Sequence, residues 1–185
     1  MRDRERLAYA VLTASRAIAR NGRLRSSLRR AACCSDAAGY EETEDFVRAL
    51  KACMGKWRPE DCVADGAMVL LAQPRVALWP RGEGLGSLPD RWLLPRLLGQ
   101  RTGERRLLSE LRFQRLLRAA GSDERLLHMR RAIALLDSPV HPLAVVEAWL
   151  ELHGEQGRRI FARAYFSGDA AVAEREPAGP TADAA

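Results

Sequence analysis

A chain of 185 residues, 47% hydrophobic and 29% charged, has enough apolar content to build a core of its own and is not a disordered polymer. No apolar run reaches the length that spans a bilayer, and residues 7–12, soon followed by Arg16, are too few for a secretory core, so a soluble, cytoplasmic protein is expected. The net charge of +6 is carried by 28 arginines and only two lysines, Lys51 and Lys56. Residues 1–35 hold nine arginines against Asp3 and Glu5, residues 66–118 hold ten against four acids, and residues 36–65 are acidic. Two basic blocks around an acidic one favour a polyanionic partner.

In chain order, Leu7, Val11, Ala14 and Ile18 recur at helical spacing and predict a helix that stops at Asn21 and Gly22. A second helix over residues 23–32 has Leu24, Leu28 and Ala31 inside. Its other faces carry Arg25 and Arg29, four apart, with Arg23 and Arg30 beside them. Residues 33–40 are small and polar and read as a loop. Glu41, Glu42, Glu44 and Asp45 suit the positive end of a third helix, whose inner side is Phe46, Leu50, Met54 and Trp57. Residues 61–72 predict a fourth, with Val63, Ala67, Leu70 and Leu71 inside and Pro74 as its stop.

Gly82, Gly84 and Gly86 follow no strand and lack the Lys-Ser/Thr of a phosphate loop, so residues 79–90 read as a linker. Trp92, Leu93, Leu97 and Leu98 form a short helix that Pro95 kinks or restarts. A loop over residues 99–104 comes next, and Arg101, Arg105 and Arg106 extend a basic edge toward Arg112.

Residues 109–136 carry two opposed patterns. Phe113, Leu116, Leu117 and Ala120 share one helix face, while Arg112, Arg115 and Arg118 point away from it. Ser109 is the expected N-cap and Gly121 the stop. A second helix is expected with Ser122 as its cap, Asp123 and Glu124 at its positive end, a seam of Leu126, Met129, Ile133 and Leu136, and Arg131 opposite. The two make an αα-hairpin. Pro142 begins the next helix after a rigid turn, and a last one covers residues 155–166 with Ile160, Phe161, Ala164 and Tyr165 inside. Trp149 and Tyr165 lie on apolar stripes and read as core aromatics rather than base-stacking platforms. The expected fold class is therefore all-α: two small helical bundles, residues 1–78 and 91–168, joined by a Gly/Pro-rich linker at 79–90. Residues 169–185 lack apolar periodicity and are expected to form a disordered tail.

Catalysis finds little foothold. Glu147 and Glu151 share a helix face with no histidine at ligand spacing and read as solvated; His128, His141 and His153 are scattered. Cys33, Cys34, Cys53 and Cys62 have no paired CxxC spacing, so buried thiols are expected instead of a zinc site, and no nucleophile motif is present. A non-catalytic protein without metal or cofactor is the expectation.

The hairpin, followed by PLAVVEAWLELHG and RRIFARAYF, resembles the CasB-type small subunit of the type I-E CRISPR surveillance complex, Cascade. The pattern is matched by Arg112, Phe113, Leu116, Leu117, Met129, Arg130, Arg131, Leu135, Leu136, Trp149 and Tyr165, and more loosely at residues 21–31 and 85–88. The resemblance spans roughly residues 20–167 and implies a non-catalytic subunit of an antiviral complex. In that family two copies sit head to tail along the guide-RNA backbone subunits, contact the target and displaced DNA strands, and help hold the R-loop open. The candidate nucleic-acid contacts are Arg23, Arg25, Arg29, Arg30, Arg101, Arg105, Arg106, Arg112, Arg115, Arg118 and Arg131. Two other readings stay open. One is a helix-turn-helix regulator using residues 109–136, although its recognition helix would open on acidic residues. The other is a helical adaptor that binds only protein.

Overall fold

The computed structural model describes residues 3–54, 59–79 and 88–168. Two helices buried on every side sit at its centre. Residues 63–71 of α4 (Asp61–Leu71) are all buried, and so are residues 142–150 of α8 (Pro142–Glu151), as expected for helices apolar all round. They meet at Gly66, where a Cβ would lie 2.6 Å from the Trp149 ring, and Trp149 Nε1 donates to the Val63 carbonyl at 2.7 Å.

Amphipathic helices surround this pair. α1 (Asp3–Arg20) packs on α3 (Glu41–Cys53) and on α8, burying Leu7, Val11, Ala14 and Ile18 as predicted. Between them α2 (Gly22–Arg30) is capped by Asn21, whose side chain accepts from Leu24 N; the asparagine expected to end one helix starts the next. A single 3-10 turn, Cys34–Ala37, stands in the expected loop. α5 (Leu93–Gly99) packs on α9 (Glu155–Phe166), and α6 (Glu110–Arg118) on α7 (Ser122–Ile133). Pro95 occupies the first turn of α5, where a missing N–H costs no helical hydrogen bond.

The all-α class holds, with one addition. Residues 101–106, expected as a loop and basic edge, form a small antiparallel hairpin: β1 (Arg101–Thr102) pairs with β2 (Arg105–Arg106) around Gly103 at φ +67°. Among the described residues one apolar core runs from Leu7 to Tyr165, and α4 packs on both α7 and α8. A parallel bridge adds to this contact, with Ala77 N donating to Val140 O and Val140 N to Arg75 O, each at 2.8 Å. Most of the expected linker, at 80–87, and the expected tail, at 169–185, lie outside the described residues.

The solvated Glu147–Glu151 face is overturned. Glu147 is only 4% exposed and accepts from Arg4 Nε at 2.6 Å and Nη2 at 3.0 Å, while half-buried Glu151 pairs with Arg91. Burial of α8 on all sides puts the first carboxylate inside, and a guanidinium from α1 compensates it.

Candidate nucleic-acid interface

The basic edge is held by backbone as much as by side chains. A Cβ on Gly99 would lie 1.8 Å from the Tyr165 carbonyl oxygen, so only glycine lets the end of α5 seat on α9. From that seat the hairpin rises. Leu107 N donates to Gln100 O at 2.8 Å, Leu108 N to Leu98 O at 3.0 Å, and Tyr165 Oη to Leu108 O at 2.5 Å. Arg106 donates to the Gly99 carbonyl at 2.5 Å, and its guanidinium lies 5.3 Å from the Tyr165 ring centre and 5.5 Å from that of Phe166. Beneath them Phe113, fully buried, stacks on Tyr165 at 3.7 Å.

Two grooves meet at Arg112. One, of about 580 Å³, is lined by Arg101, Arg105, Arg106 and Arg112 together with Glu104 and Glu110. The other, of about 450 Å³, holds Arg112, Arg115 and Arg131 with His128 and Leu108. Arg118 is exposed one turn beyond Arg115. Among the described residues Arg105, Arg112, Arg115, Arg118 and Arg131 make no ion pair.

The α2 arginines are placed differently. Arg23 and Arg30 are exposed and Arg25 is half-buried, but Arg29 donates through Nε to the Ala72 carbonyl at the end of α4, at 2.7 Å. Arg130 of α7 reaches across to donate to Ala31 O and, at 2.8 Å, to Arg29 O. The last turn of α2 is thereby fastened to α7, next to Arg131.

Residues 23–166 match the family described as CRISPR-associated protein Cse2. The chain belongs to the Cse2 family. No curated protein and no solved structure matches it. Cse2 proteins are structural subunits of the CRISPR Cascade complex, which makes this chain a Cascade subunit, and the matched span takes in every arginine of the edge. Among the described residues no helix is long and apolar enough to cross a membrane, and no group of three or more His, Cys, Asp or Glu side chains could hold a metal ion.

Other polar groups of this Cse2 chain are inward. Arg125, in the first turn of α7, is 5% exposed; it donates to Ala119 O at 2.6 Å and lies 3.2 Å from His153 Nδ1. Burial first, then Arg125 and Arg158, holds the His153 ring down at about 4, so it is neutral at physiological pH. Burial likewise pushes the Cys34, Cys53 and Cys62 thiols up, which leaves little thiolate for chemistry or metal binding. Trp149 and Tyr165 are fully buried core aromatics, as predicted. The sequence reading gave no role to Phe166, which is 47% exposed beside Arg106.

Proposed function

We propose that this Cse2 chain binds nucleic-acid backbone along the α6–α7 edge and stabilises the R-loop by holding the target or displaced strand. The observation that carries the reading is Arg112 at the meeting of two grooves, with Arg115, Arg118 and Arg131 beside it and none of them in an ion pair among the described residues. Phosphate oxygens are the counter-charges such a row accepts, and contacts to them carry no sequence information. R-loop formation exchanges one duplex for another of similar stability, so a few backbone contacts tip it. No catalytic step is assigned to the chain. Its partners are the guide-RNA-containing complex with its backbone and large subunits, the target and displaced strands, and a second copy of itself, all in the cytoplasm.

The regulator reading loses ground at α7. A recognition helix presents its N-terminal side chains to base edges, and here Arg125 is buried while Asp123 accepts from Cys34 N at 2.7 Å. Affinity for single-stranded or R-loop DNA, measured at several salt concentrations on two unrelated sequences, tests the proposal. With three or four phosphate contacts the log-log slope is expected at roughly −2 to −4, alike for both sequences. Changing Arg115 and Arg118 together to Ala should lower the slope by about 1 to 2. A strong preference for one sequence, lost in that variant, would restore the regulator.

A further inference from the structure

Tyr165 and Phe166 are consecutive on α9, and a helix turns by roughly 100° per residue, so two adjacent rings do not enter the same core. Tyr165 is the buried one; Phe166 is left 47% exposed. The exposed ring is nevertheless held in place. It stands edge-to-face with Tyr165 at 5.0 Å and with Phe113 at 5.7 Å, and the Arg106 guanidinium lies 5.5 Å from its centre. A half-exposed phenyl ring forgoes apolar burial. This one does so beside Arg106, which lines the same groove as Arg101, Arg105 and Arg112.

We infer that Phe166 is a stacking platform for an unpaired base of the strand whose phosphates the arginines hold. The inference rests on the backbone-binding reading and adds to it a preference for single strands. A duplex keeps its bases stacked on one another and presents only phosphates to the edge. An unpaired base of any identity has a π-face to lay on the ring, so stacking separates single from double strand without reading sequence. Arg106 adds a cation to the same platform, and its hydrogen bond to Gly99 keeps it there.

The test uses the full-length chain and two probes of equal length: a single strand carrying 2-aminopurine, whose fluorescence is quenched by stacking, and a duplex. The chain should quench the single strand on binding. Phe166→Leu keeps apolar bulk without the ring; the quench should disappear and single-strand affinity should fall roughly tenfold, while duplex affinity, salt slope and melting temperature stay unchanged. Phe166→Trp should restore the quench. Unaltered quench and affinity in Phe166→Leu, an equal loss on both probes, or a quench missing in Phe166→Trp would each overturn the platform and leave the backbone reading standing on its salt slope. Failure of the unmodified chain to show any salt-dependent binding would overturn that reading, and the platform with it.

Discussion

At the α1–α8 end of the molecule Arg4 grips the buried carboxylate of Glu147 and Arg91 pairs with Glu151, whereas along the α6–α7 edge Arg112, Arg115, Arg118 and Arg131 have no ion-pair partner among the described residues. The side chains are chemically identical. A carboxylate within reach turns the first set into braces between segments distant in sequence, and on the proposed reading the second set is left for a partner outside the chain. Arginine number therefore marks no interface by itself; the proposed one is picked out by arginines that form no ion pair among the described residues.

The difference breaks most severely if the edge loses its floor. Phe113 is fully buried under it and stacks on Tyr165, so Phe113→Ala should cost about 3–5 kcal/mol by opening a cavity, seen as a large fall in melting temperature. Next in size is the brace. Arg4→Met leaves Glu147 buried and unpaired, and about 2–3 kcal/mol should be lost, less than for a fully buried pair because Arg4 is itself 35% exposed. DNA affinity should not change. If Arg4→Met weakens binding as much as it lowers stability, the two ends are not separable.

Asp65 sharpens the comparison from the acid's side. It is 6% exposed on α4, and burial first, then Asp61 and Glu44, raise its pKa to about 6, with Lys51 opposing. Because the folded state binds this proton more tightly than the unfolded chain, stability is lost as pH rises from about 4 to about 6. Asp65→Asn should add about 2 kcal/mol at pH 8 and little at pH 4. His153 works in the opposite sense. Its folded value of about 4 lies below the ordinary 6.5, so stability is lost as pH falls through that window. Chemical denaturation of Asp65→Asn across pH 4–7 should therefore show a rise with pH that the unmodified chain masks; a flat profile would remove His153 from the account.

The smallest effect belongs to the free edge. Arg115→Ala with Arg118→Ala should leave stability within about 0.5 kcal/mol of the unmodified chain. A melting temperature several degrees lower would show that these arginines brace something after all.

Much of the fold was legible because it is local. Residues 155–166 form α9 at the predicted bounds, and Leu126, Met129, Ile133 and Leu136 are buried as their spacing required. The misses have long-range causes. Glu147 looked solvated because its partner Arg4 lies 143 positions away, and nothing near α8 announces a guanidinium. Arg130 finds its carbonyls 99 and 101 positions away. The hairpin at 101–106 has no β-branched run to betray it, only Gly103 and tertiary contacts to α5 and α9. The exposure of Arg112, Arg115, Arg118 and Arg131 was readable from helix phase. That Arg29 and Arg106 also serve carbonyls was not, since helical phase says nothing of which backbone oxygen passes nearby.

The Arg130 contact has an electrostatic outcome for the surface around it. A helix ends in carbonyls with no partner in the next turn, equivalent to about half a negative charge. At the end of α2 that pole would repel a polyanion within a Debye length and offset the neighbouring Arg30. By donating to Arg29 O and Ala31 O, Arg130 neutralises the pole from within the protein. On the proposed reading, a strand leaving the α6–α7 edge toward α2 would then meet Arg30 and Arg131 without that opposing pole.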